Sequence, residues 1–207
     1  MTETALIVAD DIRKRYGRLA VLTGASFEAH AGQLVAILGE NGSGKSTLLR
    51  ILAGRERMDV GKITRRTAWG FCPQQADLYP YLTPDEHFDL FGCAHGLSRK
   101  EARTRADELL DTLAFGRHRA RVVAELSGGT RQKLNLALAV LHDPPLLLLD
   151  EPYAGFDLET YHRFVAWCDE ARRRGRAVVL VSHLVIDRER FDVVHELRGG
   201  VLHVGAD

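Results

Sequence analysis

The stretch that decides the fold is GENGSGKST, residues 39–47, which directly follows the apolar run LVAIL at residues 34–38. It fits the pattern G-x-x-x-x-G-K-[ST], in which glycines let the backbone turn so that successive N–H groups face one anion. The aliphatic run predicts a buried strand, and residues 46–53 predict a helix that ends at Gly54. This order of strand, loop and helix predicts a polyphosphate site at the helix N-terminus.

The loop predicts a nucleoside triphosphate as ligand, together with Mg²⁺. We expect the Lys45 ammonium to lie near the β- and γ-phosphates and the Ser46 hydroxyl to ligate Mg²⁺, a hard cation that prefers oxygen. The remaining loop residues supply backbone N–H groups. The predicted nucleotide-binding residues of the loop are Gly39, Glu40, Asn41, Gly42, Ser43, Gly44, Lys45, Ser46 and Thr47.

The length indicates a single domain over residues 1–207. The charge balance indicates that the protein has no strong overall electrostatic field. The 28 Lys and Arg residues balance the 28 Asp and Glu residues, so we predict no nucleic-acid partner. The three cysteines lie far apart, which favours neither disulfides nor zinc. No apolar run approaches the ~18 residues that span a bilayer, and residues 1–4 are polar, so we expect a cytosolic chain.

The order of strand and helix patterns predicts an α/β fold with a P-loop NTPase core. Residues 5–8 and 19–28 predict an N-terminal antiparallel β-subdomain, and the apolar runs at 34–38, 146–149 and 177–181 predict a mostly parallel sheet. Between these runs the pattern is helical, with Pro84 and Ser98 as helix-start residues. We therefore expect a helical subdomain at about residues 75–143, inserted between Gln74 and the strand at 146–149.

Two carboxylates follow the apolar run LLLL at residues 146–149. Ligands of parallel sheets bind at the carboxyl ends of the strands, so Asp150 is expected to hold the water shell of Mg²⁺ opposite Ser46. Glu151 is then available as the base that accepts a proton from the attacking water.

The turn LSGGT at residues 126–130 adds a second predicted anion site, because Ser127 precedes a helix. By itself this turn is equally an ordinary N-cap. Taken with the loop and the paired carboxylates, it resembles the signature of the nucleotide-binding subunit of ABC transporters, with Thr130 in place of the usual Gln. The resemblance covers nearly the whole chain. It implies a head-to-tail dimer in which each ATP lies between one phosphate loop and the partner's Ser127, Gly128 and Gly129.

The resemblance also implies roles for four isolated residues. Tyr16 matches the aromatic residue that stacks on adenine, although an alternative is a tyrosine at the edge of a small sheet. Gln74 matches the glutamine that reaches Mg²⁺, and the adjacent Gln75 leaves this assignment open by one residue. Asp157 matches an aspartate of the nucleotide site, and His183 the histidine that senses the γ-phosphate.

The residues around Asp157 depart from the family pattern. Phe156 and Tyr153 stand where Leu and Thr or Ser are more common, which puts the geometry of the dimer seam in question. The resemblance nevertheless supplies a complete set of expected catalytic residues: Lys45, Gln74, Glu151 and His183. The expected metal ligands are Ser46, Gln74 and Asp150.

The leading functional prediction is an ATP-hydrolysing subunit that powers a membrane transporter, with export as the expected direction. Its partners would be separate transmembrane permease subunits and a second ATP-binding subunit, with a homodimer favoured over a heterodimer, at the cytoplasmic face of the membrane. Residues 76–83 mix aromatics with proline and are expected to dock the permease, or else to form an ordinary packed loop. Two alternatives are an ABC-type ATPase of a non-transport assembly, such as an iron–sulfur scaffold, and a regulatory subunit that binds ATP without turnover.

Overall fold

The computed structural model describes residues 4–183 and 188–205. In chain order, these residues form strands β1 Ile7–Tyr16, β2 Leu19–Ala29 and β3 Leu34–Leu38, helix α1 Lys45–Leu52, strands β4 Val60–Arg65 and β5 Trp69–Cys72, helices α2 Pro84–Ala94, α3 Arg99–Thr112 and α4 Gly128–Val140, strand β6 Leu146–Asp150, helix α5 Leu158–Arg173, and strands β7 Ala177–Ser182, β8 Val193–Arg198 and β9 Val201–Val204.

The chain divides into two compact units. The first comprises the described residues of Met1–Phe71, Pro144–Glu151 and Asp169–Asp207, and the second comprises Cys72–Asp143 and Pro152–Cys168. The prediction of one domain over residues 1–207, with a helical subdomain at about 75–143, stays a prediction.

The first unit contains two sheets. β2, β1 and β4 form an antiparallel sheet in that order, while the six-stranded sheet has the order β5-β6-β7-β3-β8-β9. Within the larger sheet β6, β7, β3 and β8 run parallel, and β9 is antiparallel to β8. The predicted N-terminal antiparallel sheet and mostly parallel core sheet are therefore confirmed.

The central strands are buried because they are almost wholly apolar. Every residue of β6 and β7 is buried, as expected for parallel strands that are covered on both faces. The apolar residues Leu48, Leu49, Ile51 and Leu52 of α1 pack into the same core. The phosphate-loop helix is thus anchored along its whole buried side.

Specific contacts fix both ends of α1. Gly44 precedes the helix with a φ of 103°, and a Cβ at this position would lie 2.8 Å from Val21 Cγ1, so only glycine fits. At the other end the Arg65 guanidinium donates to the carbonyl oxygens of Leu52 at 2.6 Å and Ile51 at 3.1 Å. A cation at this end also complements the helix dipole.

The second unit has helices with well-formed N-termini. Thr83 with Glu86, and Ser98 with Glu101, form reciprocal capping boxes, and Pro84 occupies the first turn of α2. These contacts confirm Pro84 and Ser98 as helix-start residues. No helix among the described residues is long and apolar enough to cross a bilayer.

Helix α4 begins directly after Ser127, as the sequence predicts. Ser127 is the N-cap, and its hydroxyl accepts a hydrogen bond from the Thr130 N–H group. The cap residue has an extended backbone, so the helix begins at Gly128.

Candidate functional site

Three predicted site segments of the first unit meet at one edge of the large sheet. The loop at residues 39–47 follows β3, Asp150 and Glu151 lie at the end of β6, and His183 follows β7. The parallel register aligns these ends, since Leu38 pairs with Ser182 and Asp150 pairs with Val181. The arrangement places phosphate-loop and carboxylate groups where ligands of parallel sheets bind.

Lys45 lies inside the loop and is only 6% exposed. Its ammonium donates to the carbonyl oxygens of Gly39 and Glu40, each at 2.7 Å. Burial lowers the pKa of Lys45, and the charges of Glu151 and Asp150 oppose this shift. The ammonium is therefore held by neutral oxygens, with both carboxylates near enough to influence its charge.

Asp150 fits the role of a carboxylate that organises Mg²⁺. It is 2% exposed; burial raises its pKa, while a hydrogen bond from Ser46 opposes the shift. Its Oδ1 atom is buried and has no hydrogen-bond partner among the described residues. A buried carboxylate oxygen beside a serine hydroxyl suits a hard cation.

The hydroxyl of Ser46 and the carboxylate of Asp150 are oxygen donors of the kind that Mg²⁺ prefers. No group of three or more His, Cys, Asp or Glu residues in the described chain could hold a metal ion. Mg²⁺ characteristically takes one or two protein ligands and completes its shell with water and substrate phosphates.

Glu151 contacts His183. The His183 Nδ1 atom lies 2.9 Å from Glu151 Oε1, and the histidine side chain is 56% exposed whereas the glutamate side chain is 15% exposed. Glu151 has a φ of 44°, a conformation that glutamate rarely adopts, and its N–H group donates to the Val181 carbonyl at 2.9 Å. This turn separates the surroundings of two consecutive carboxylates and brings the second one to the histidine.

Tyr16 lies at the end of β1 with 45% of its surface exposed. Its hydroxyl donates to Glu56, which also pairs with Arg50 of α1 at 3.0 Å. The ammonium of Lys14 lies 5.2 Å from the centre of the tyrosine ring. These contacts fix an exposed aromatic ring at the end of β1, which suits stacking on a base.

The second unit contains the signature turn, in which Ser127 and Thr130 interact twice. The Ser127 hydroxyl accepts from the Thr130 N–H group at 3.2 Å, and the two hydroxyl oxygens are 2.9 Å apart. A Cβ at Gly129 would lie 2.4 Å from the Gly155 carbonyl oxygen, so the turn directly touches the segment that leads to Asp157.

Asp157 occupies the start of α5 and is held by several donors. Its Oδ1 accepts from the Thr160 N–H group at 2.8 Å, and Lys133 Nζ lies 3.5 Å from its Oδ2. The Thr160 backbone and hydroxyl, followed by Lys133, hold the pKa of Asp157 at about 2. Gln74 and Gln75 are both exposed in this unit, so the choice between them stays open.

The predicted residues thus fall into two groups. Tyr16, the loop, Asp150, Glu151 and His183 belong to the first unit, whereas Gln74, Ser127, Gly128, Gly129 and Asp157 belong to the second. Sequence reasoning missed Glu56, which contacts Tyr16, and Lys133 and Thr160, which both contact Asp157. Lys133 had no distinguishing signal in the sequence, because Arg131, Gln132 and Asn135 of the same helix are also polar.

The strand, phosphate loop and helix, with a buried carboxylate at the end of β6 in the same parallel sheet, define a P-loop nucleotide-binding protein. Residues 22–154 match the family model described as ABC transporter. The chain therefore belongs to the ABC transporter family as an ATP-binding domain, in which ATP hydrolysis is general.

Curated relatives carry both export and import names. The chain is 31% identical to the linearmycin resistance ATP-binding protein LnrL of Bacillus subtilis, over 89% of this chain and 63% of that protein. It is 33% identical to Nod factor export ATP-binding protein I of Paraburkholderia xenovorans, over 90% of this chain and 65% of the relative. It is 37% identical to the sulfate/thiosulfate import ATP-binding protein CysA of Mesorhizobium japonicum, over 84% of this chain and 55% of the relative. The chain spans less than two thirds of each.

A solved structure supports the fold. An ATP-binding subunit of an ABC transporter matches with a TM-score of 0.89 and 28% identity, over 97% of this chain and 90% of that one. The prediction of an α/β fold with a P-loop NTPase core is confirmed.

Proposed function

We propose that this chain binds ATP with Mg²⁺ and hydrolyses the ATP, as the energy-supplying subunit of a membrane transporter. The observation that carries the proposal is the 2.9 Å contact between Glu151 and His183, directly after the buried Asp150. A carboxylate base whose orientation is set by a histidine is suited to accept a proton from water.

The residues of the first unit divide the chemistry among them. Lys45 and the loop N–H groups bind the phosphates, while Ser46 and Asp150 would hold Mg²⁺, which when bound offsets phosphate charge. Glu151 accepts the proton of the attacking water, and His183 holds Glu151 in place through Nδ1. Tyr16 stacks on the adenine.

The second half of each ATP site would come from another subunit. Ser127, Gly128 and Gly129 form a helix N-terminus with N–H groups that suit a phosphate. We favour a homodimer that closes on ATP and reopens after hydrolysis, with Gln74 and Asp157 near the bound nucleotide. A triphosphate that binds the closed form more tightly would shift the equilibrium toward closure.

Separate permease subunits would dock on the second unit and hold the chain at the cytoplasmic face of the membrane. Tyr79 and Tyr81 are 54% and 85% exposed. The Tyr79 N–H group donates to Nε2 of the buried His87 at 3.0 Å, so the segment is anchored beneath its exposed rings. Exposed aromatic side chains on an anchored segment suit a partner helix.

Export is the direction we propose, because the relatives of this chain include the Nod factor export ATP-binding protein I. The import relative shows that related domains also serve uptake, so the direction would be set by the permease. Transport into or out of vesicles that contain the copurified permease tests it.

The central experiment replaces Glu151 by Gln. We expect ATP turnover to fall by about 100-fold or more, with ATP binding retained, because only the proton acceptor is lost. Steady-state turnover and fluorescent-nucleotide binding measure the two effects. Glu125→Gln, at an exposed position, is the matched control, and normal turnover in Glu151→Gln would remove Glu151 as the base.

A further inference from the structure

Lys133 is a buried cation of α4, one turn beyond the signature turn, and has no role in the function proposed above. We propose that Lys133 is a positioning residue that locks residues 153–157 to the signature turn, so that both present one rigid surface to the nucleotide bound by a second subunit. This inference rests on the proposed dimeric ATP site.

The ammonium of Lys133 contacts three residues at the start of α5 and in the loop before it. The residue is 8% exposed, and its ammonium lies 2.6 Å from Thr160 Oγ1 and 3.5 Å from Asp157 Oδ2. It also lies 5.8 Å from the centre of the Phe156 ring. A buried ammonium requires such partners, and all three belong to the loop before α5 or to the first turn of α5.

Two contacts between the same elements make the connection rigid. The first is the close backbone approach of Gly129 and Gly155, and the second is the group of side-chain contacts made by Lys133. One contact alone would leave the loop free to rotate about it, whereas two contacts a helical turn apart fix its orientation. Forming these contacts restricts the Lys133 side chain to one conformation, which costs side-chain entropy.

Phe156 adds a further contact to the connection. It stands where Leu is more common in the family, and its ring offers a face to the Lys133 ammonium. Asp157 is also fixed independently, since the Thr160 N–H group donates to it at 2.8 Å. Lys133 therefore holds a loop whose final residue is already bound to α5.

The first test measures the connection within a single subunit. Hydrogen exchange of the full chain should show faster exchange in residues 153–157 of Lys133→Met, with the loop at 39–47 unchanged. Lys133→Arg keeps the cation and should restore slow exchange, while Lys100→Met, at an exposed position, is the matched control. Unchanged exchange at 153–157 in Lys133→Met would overturn the proposal, whatever the state of the dimer.

The second test measures the consequence for assembly, in a Glu151→Gln background that retains ATP. Lys133→Met should weaken ATP-driven dimer formation by about 10-fold, a typical coupling between sites, while fluorescent-nucleotide binding by the single subunit changes less than about two-fold. Thr160→Val should weaken dimer formation to a similar extent. The variant with both Lys133→Met and Thr160→Val should lose less dimer stability than the sum of the two single losses. Equal losses in both assays, or strict additivity, would mean that Lys133 acts only through folding.

A failure of the proposed dimeric ATP site can be distinguished from a failure of the proposal for Lys133. If the Glu151→Gln parent does not dimerise with ATP, the composite site is wrong. The exchange measurement still decides whether Lys133 holds the loop.

Discussion

Two lysines are buried among the described residues, Lys45 in the first unit and Lys133 in the second, and they have opposite kinds of hydrogen-bond partner. Lys45 donates to two neutral backbone carbonyls, whereas Lys133 contacts a carboxylate and a hydroxyl. Neutral carbonyls leave the charge of Lys45 uncompensated at contact distance, so an arriving phosphate gains a strong charge-assisted bond. The charge of Lys133 is already matched inside its own unit. Equal burial therefore accompanies a proposed binding role in one region and a proposed positioning role in the other.

The strongest challenge to this comparison is Lys45→Met. We expect ATP binding to weaken by about 30-fold or more, since loss of one partner of a buried charged pair costs about 2–5 kcal/mol. Titration with a fluorescent ATP analogue measures the affinity. Lys62→Met, at an exposed position of the same unit, should bind normally. A near-normal affinity in Lys45→Met would show that the carbonyl-bound ammonium never moves to the phosphates.

A second test extends the comparison to the hydrogen-bonded pair of the first unit. His183→Ala should lower ATP turnover by about 100-fold, because Glu151 loses the group that orients it. In a Glu151→Gln background the same change should add little, since residues that act as a unit are not additive. The control is His203→Ala, at an exposed position. If the losses of turnover from His183→Ala and Glu151→Gln were fully additive, His183 would not act through Glu151.

The smallest expected effect concerns the carboxylate that compensates Lys133. The pKa of Asp157 is about 2 in the fold against an ordinary 3.8. A lowered pKa gives stability that is fully present above 3.8 and is lost as the pH falls towards 2. Asp157→Asn should therefore reduce stability at pH 5 and matter progressively less below pH 3.8.

Denaturant unfolding at several pH values measures this difference. Asp77→Asn, which removes an exposed carboxylate, is the matched control. The side chain of Asp157 is 67% exposed, so solvent screening keeps the effect small. A gap between wild type and Asp157→Asn that widens on acidification would contradict the assignment.

Local patterns were enough to predict the loop, α1 and the buried strands. The sequence at residues 39–47 fixes its own turn through glycine, and the apolar runs at 146–149 and 177–181 specify strands covered on both faces. The helix starts at Pro84 and Ser98 were equally local, because capping depends on residues three positions apart.

Contacts between distant residues were not predictable in the same way. The pairing of Glu151 with His183 depends on the register of β6 and β7, and the positive φ of Glu151 has no sequence signal. The bonds from Tyr16 to Glu56 and from Lys133 to Thr160 join residues 40 and 27 positions apart. Such contacts follow from tertiary packing, which periodicity does not encode.

The contact between Gly129 and Gly155 has a consequence for how the signature turn tolerates change. A side chain at 129 would strike the Gly155 carbonyl, whereas the space around Gly128 is open within the described residues. A saturation library selected only for folding should therefore reject substitutions at 129 and accept small ones at 128. If selection for ATP-dependent growth also eliminated substitutions of Gly128, the requirement for glycine there would come from a ligand or a partner subunit.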